Sequence, residues 1–183
     1  NYRETALKTQ AARVALRSPR LVIAGSHSVA DFVHADLGVP RDRLRTIHCG
    51  IESDAFTTLP PAPRAPADRH TILTVGRLVP VKGHRTLVEA FALLRRRYPP
   101  ARLVVVGDGP ERHALESLAA RLNVADAVSF RGTVYPTGDL LRAADVFVFP
   151  SLLEPQGLAL LEAYAAGVPV VASRTGGIPE MLT

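Results

Sequence analysis

From residue 70 onward, short apolar runs alternate with stretches whose apolar positions recur every three to four residues. Ile72–Val75, Leu103–Val106, Ala127–Phe130, Val146–Phe149 and Val168–Ala172 have the length and β-branched character of buried strands. Between them lie helical patterns at His84–Arg97, Glu111–Leu122, Gly138–Ala143 and Leu158–Ala166, and a further helix starts at Ile178. In the first of these, Leu87, Val88, Phe91 and Leu94 share a face. Five βα units in succession predict an α/β fold. It is a Rossmann-like, doubly wound parallel sheet covered by helices on both faces, with strand order 3-2-1-4-5.

Before residue 70 the pattern is shorter. Residues 2–17 read as a helix that stops near Pro19, and Leu21–Ala24 as a strand. Ser26 and Ser28 can cap a helix running to about Leu37, with Gly38 and Pro40 beyond it, and Leu44–Ile47 reads as a second strand. Residues 58–69 hold four prolines in twelve positions. Proline lacks an amide hydrogen and fixes φ, so this stretch reads as a linker.

Composition narrows the partners. Hydrophobic residues are 47% of the chain and charged residues 21%, the balance of a folded domain. No apolar run approaches the roughly 18 residues of a membrane span. The net charge is +5, carried by twenty arginines and only two lysines, Lys8 and Lys82. With no Trp and 5% aromatics there is no base-stacking platform, so nucleic acid is not an expected partner. One cysteine, Cys49, allows no internal disulfide and fits a reducing, cytoplasmic setting. It reads as a small buried residue. None of the six histidines pairs with Cys or another His at metal-ligand spacing, so no metal site is expected.

In open α/β sheets, ligands bind beyond the carboxyl ends of the strands. The loops predicted there collect glycines and charges. Lys82 stands near the start of a helix, where the macrodipole disfavours a cation, while Arg95, Arg96 and Arg97 occupy the favourable end. An anion held by Lys82 and free helix amides would resolve the conflict, and Arg77 could reach it. Asp108 and Glu111 read as a capping box on the next helix. Glu162 lies within an otherwise apolar helix, and Glu154 lies eight residues earlier, in the loop before Pro155 and Gly157. Loop carboxylate, exposed helix amides at 157–159 and helix carboxylate together suit a ligand with both phosphate and hydroxyls. A sugar joined to a nucleotide diphosphate has both.

The runs "LVIAGSHSV", "LRTIHCGIESDAF", "ILTVGRLVPVKGHRTLVEAFALL", "LVVVGDGPER", "VSFRGTV", "LLRAADVFVFPSLLEPQGLALLEAYAAGVPVVAS" and "TGGIPEML" resemble the GT-B retaining glycosyltransferases of family 4, the glycosyl transferases group 1 type, in order and spacing. The resemblance implies that residues 1–57 are the end of an N-terminal, acceptor-side Rossmann-like domain, 58–69 the linker, and 70–183 most of the nucleotide-sugar-binding domain. It implies that Arg77, Lys82 and the Leu158 amide bind the donor pyrophosphate. Glu154 would contact the transferred sugar as the catalytic residue, beside Gln156 and Gly157. Glu162 would hold the ribose, and the backbone at Val134 would face the base. No cofactor and no metal are implied. The implied partners are a nucleotide-sugar donor and a glycan or lipid-linked acceptor; the Arg95–Arg97 run reads as a solvated helix end, with peripheral contact at an anionic membrane face as the alternative. Two positions depart from the pattern: Gln156 stands where many members have an aromatic residue, and Cys49 where many have Asn. A nucleotide-sugar 2-epimerase of the same fold and a non-catalytic nucleotide-sugar-binding domain stay open as alternatives. A dinucleotide oxidoreductase is disfavoured by the missing Gly-x-Gly-x-x-Gly.

Overall fold

The computed structural model describes residues 10–57 and 70–182. The linker reading at 58–69 and the first part of the helix expected over 2–17 lie outside them. The chain opens with α1 (residues 10–15), β1 (Val22–Ala24), α2 (His27–Ala35), β2 (Leu44–Thr46) and a single turn, α3 (Asp54–Thr57). β1 and β2 pair in parallel, Val22 opposite Leu44. Val33, Val39 and Leu44 are the small core beneath them.

The second part runs β3 (Thr71–Val75), α4 (His84–Arg97), β4 (Arg102–Val106), α5 (Arg112–Arg121), β5 (Val128–Phe130), α6 (Gly138–Arg142), β6 (Val146–Phe149), α7 (Leu158–Ala165), β7 (Val170–Ala172) and α8 (Ile178–Met181). All five strands are parallel, in the order β5-β4-β3-β6-β7. That is the order expected from the βα alternation. β4 shows why the runs are uninterruptedly apolar. Leu103 and Val105 enter one core with Leu87, Val88 and Phe91 of α4 and Leu115 and Leu118 of α5. Val106 enters the opposite core with Phe147, Phe149, Leu141, Leu160, Ala163 and Ile178. Successive side chains point to opposite faces, and both faces are covered by helices.

Several expectations change. Leu94 is exposed, and the buried stripe of α4 runs through His84, Leu87, Val88, Phe91 and Ala92. The stripe continues to Arg95, whose guanidinium donates to Asp126 Oδ2 at 2.9 Å. The capping box does not form. Glu111 itself is the N-cap residue of α5 and caps with no side chain, while Asp108 accepts from its neighbour Gly109 and from Arg112. Cys49 is exposed, because the loop after β2 runs over the surface. Helix α3 carried no periodic signal, yet its Phe56 packs against the second core.

Candidate functional site

The loops after β3, β4, β5 and β6 interlock at the carboxyl edge of the sheet. Gly76 N donates to Val106 O, Leu78 N to Asp108 O, Gly107 N to Gly132 O and Leu152 N to Val81 O, all at 2.8–2.9 Å. After β3 the chain makes a tight 3₁₀ turn at Pro80–Lys82, and Gly83 then turns left-handed (φ +69°) into α4. A Cβ at Gly83 would lie 2.0 Å from the carbonyl oxygen of Pro150. Only glycine lets this turn rest on the loop after β6, and that contact brings Lys82 to Glu154.

Lys82 Nζ donates to Glu154 Oε2 at 2.6 Å, and Ser151 Oγ donates to the same oxygen at 3.1 Å. The Lys82 side chain is 19% exposed and that of Glu154 only 6%. The ammonium also sits 5.6 Å from the centroid of the Phe149 ring. Lys82 therefore lies just before α4 and has a carboxylate partner of its own. Behind Glu154, Gly177 N donates to Glu154 O at 2.9 Å. A Cβ at Gly176 (φ +53°) would lie 2.0 Å from that carbonyl oxygen, so the Thr175-Gly176-Gly177 turn clamps the backbone of the loop.

His84 follows Lys82 and Gly83 and is buried. Burial, and then the charge of Lys82, lower its imidazole from 6.5 to about 4, so the ring is neutral at pH 7. Arg77 is exposed in the loop after β3. Leu158 is the first residue of α7, and Gly157 (φ +94°) precedes it with no side chain capping the helix. The amide expected to serve phosphate thus stands at an uncapped helix end. Glu162, two turns' length after Glu154 in sequence, is half-buried and accepts from Thr137 Oγ1 at 2.9 Å. Thr137 belongs to the loop after β5, three residues beyond the partly buried Val134. That bond ties the expected ribose carboxylate to the expected base loop. In the same loop Tyr135 is 92% exposed.

Gln156 reaches across to the first part of the chain. Its Nε2 donates to Cys49 O at 3.4 Å, and its Oε1 lies 2.9 Å from where a Gly25 Cβ would be. Ser151 and Thr137, which hold the two glutamates, went unassigned in the sequence. Ser151 stands three residues before Glu154, whereas nothing in the pattern marks Thr137.

A second polar cluster joins the two sheets. Ser26 caps α2, accepting from Val29 N at 3.1 Å and donating to Pro155 O at 2.6 Å. Glu180 of α8 accepts from His27 N at 2.7 Å, Ser28 N at 2.9 Å and His48 Nε2 at 2.8 Å. Burial pushes its carboxyl up, but the bonds from His48 and the two amides outweigh this and hold it below its ordinary value. His27 and His48, 21 residues apart, meet here with their rings edge to face at 5.5 Å. The chain thus brings together two histidines that lie at no metal-ligand spacing in the sequence.

Among proteins of similar sequence is the GDP-mannose-dependent alpha-(1-6)-phosphatidylinositol monomannoside mannosyltransferase of Mycobacterium tuberculosis. It is 41% identical over 159 residues, 77% of this chain and 40% of its own length. The D-inositol 3-phosphate glycosyltransferase of Streptomyces avermitilis is 36% identical over 175 residues, 86% of this chain and 38% of its own length. The chain thus spans about 40% of the length of these relatives. Among solved structures, Anabaena HepE in complex with UDP and glucose superposes with a TM-score of 0.81 at 25% identity, over 96% of this chain and 51% of that one. The sucrose-phosphate synthase of Thermosynechococcus elongatus superposes with a TM-score of 0.80 at 29% identity, over 97% of this chain and 46% of that one. The parallel five-stranded sheet and its helices are those of the GT-B glycosyltransferase structures. The defining pattern of the glycosyl transferases group 1 family matches residues 56–183, and the chain belongs to that family.

Proposed function

We propose that the chain is the donor-binding half of a retaining glycosyltransferase, which moves a sugar from a nucleotide-diphosphate sugar to a hydroxyl on a glycan or lipid-linked acceptor. The observation that carries this is the Lys82–Glu154 pair at 2.6 Å beside the uncapped start of α7. In a nucleotide sugar the anomeric carbon is bonded directly to the phosphate. Phosphate oxygens and sugar hydroxyls therefore lie within a few ångströms of each other, and a cation and a carboxylate in contact match that spacing. The ammonium has three donors and spends one on Glu154.

In this reading Lys82, Arg77 and the Leu158 amide receive the pyrophosphate, and Glu154 accepts from sugar hydroxyls with Gln156 and Gly157 beside it. Glu162 accepts from the ribose, and the Val134 backbone faces the base. As the glycosidic bond to phosphate breaks, charge builds on the departing diphosphate. Cations and amides already in place stabilise that charge without reorganising. The reading requires no metal or cofactor.

The proposed setting is the cytoplasm. No helix among the described residues is long and apolar enough to cross a membrane. Contact with an anionic membrane face would use the end of α4, where Leu93 is exposed beside Arg96 and Arg97. The test is a thermal-shift panel of nucleotide sugars and bare nucleoside diphosphates, followed by calorimetry. A nucleotide sugar should raise the melting temperature of the protein, and that of Lys82→Ala by less at the same concentration. If none does so, the reading fails.

A further inference from the structure

We propose that His27, His48 and Glu180 form a binding site for Zn²⁺, which would join α8 to the β1–β2 unit. One ligand atom from each of the three residues lies within 4.8 Å of the other two. Two imidazoles and one carboxylate are a donor set that zinc takes readily, whereas Mg²⁺ and Ca²⁺ prefer oxygen alone. Zinc bonds to such ligands are about 2.0–2.2 Å long, which places neighbouring ligands of a tetrahedral ion roughly 3.3 Å apart. His48 Nε2 and Glu180 Oε2, now at 2.8 Å, need open by only about half an ångström to admit the ion.

The carboxylate arm of the site is already held in place. The His27 and Ser28 amides anchor both oxygens of Glu180. The hydroxyl of Thr46 stands 3.3 Å from His27 Nδ1, a contact that leaves Nε2 for the ion and helps to fix the ring, as outer partners do at metal centres. Both histidines are exposed, so a metal has a path of entry. The apo arrangement has a hydrogen between His48 Nε2 and the carboxylate, and zinc would take its place. Three protein ligands leave a fourth position to water.

The ligands come from the start of α2, the loop after β2, and α8, so the ion would close a loop through the whole chain. Glu180 lies three residues beyond Gly177, which bonds the backbone of Glu154, and Ser26 of the same cluster bonds Pro155. Zinc here would therefore stiffen the back of the loop that carries Glu154 without touching the donor side.

The experiment is calorimetric titration of ZnCl₂ into the chelator-stripped chain, with thermal melts and a Co²⁺ absorption spectrum. One saturable site is expected, with a rise in melting temperature and no response to Mg²⁺. His27→Ala and His48→Ala should each weaken binding by more than the roughly 10–100-fold that loss of an outer partner costs. His48 bonds Glu180 in the apo chain, so each variant's affinity is measured below its own apo melting temperature, where the chain is folded. Cys49→Ser should bind as the parent does, and the Co²⁺ spectrum should lack a thiolate charge-transfer band. Absence of a saturable site, undiminished binding by either histidine variant, or loss of binding in Cys49→Ser would overturn the proposal.

Discussion

Lys82 and Glu154 each depend on the other. Lys82→Ala leaves a buried carboxylate with Ser151 as its remaining partner, so the variant should lose stability as well as affinity. Calorimetry should show nucleoside-diphosphate affinity reduced by about 1.5–3 kcal/mol, or roughly ten- to hundredfold. Unchanged affinity would count against the phosphate role. The two glutamates should separate by ligand. Glu162→Ala removes the acceptor held by Thr137 and should weaken a bare nucleoside diphosphate and a nucleotide sugar alike, each by roughly ten- to hundredfold. Glu154→Gln is nearly isosteric and should spare the bare nucleotide while weakening the nucleotide sugar. If both variants lose bare-nucleotide binding equally, the division of labour is wrong.

At the scale of elements, two short segments hold the Glu154 loop in place. Ser26 is fully buried, caps α2 and bonds Pro155. Ser26→Ala should cost about 1–3 kcal/mol in urea unfolding, from the lost cap and an orphaned carbonyl. Gly176→Ala should be worse, because its Cβ would overlap the Glu154 carbonyl and its φ is positive. A loss above about 2 kcal/mol is expected, with weaker nucleotide-sugar binding as the loop shifts. These segments also mark where the sequence was legible. The strands and long helices announce themselves because their burial on both faces demands apolar runs and helical spacing, and β6 and α4 have the bounds that pattern gives. Lys82 and Glu162 stand out because each sits where its charge is disfavoured without a partner, and Glu154 by its place in the loop eight residues before Glu162. Thr137, Ser151 and the clasp of Glu180 on α2 were not legible. Their roles arise from contacts 25 to 153 residues away in two of these cases, and from an ordinary serine in a loop in the third. Asp108 misled because a capping-box spacing does not force the box when Arg112 competes for the carboxylate.

For the molecule as a whole, His84 should govern the response to mild acid. Its pKa falls from 6.5 to about 4 on folding, so between those values the unfolded chain binds a proton that the folded chain refuses. Stability is therefore full above pH 6.5 and declines as pH falls toward 4, by up to ~3 kcal/mol. Glu180, whose carboxyl is held low, adds losses only below the ordinary carboxylate range. Urea midpoints measured between pH 5 and 7 isolate the histidine. His84→Leu should flatten that slope, and an unaltered slope would assign the acid response elsewhere.

The strand order has a consequence for how the binding edge comes into being. β3, first of the five in the chain, is central, with β4 and β5 on one side and β6 and β7 on the other. Thr71 meets Arg102 on one flank, while Ile72 waits for Val146 on the other. During synthesis the nearer wing can zip onto β3 long before the farther one emerges, and remote pairings are slow to close. Lys82 belongs to the early wing and Glu154, 72 residues on, to the late one. Neither wing alone contains both halves of the pair. Competence to hold a nucleotide sugar should thus appear in the last kinetic phase of refolding, making ligand capture a clock for the docking of the second wing.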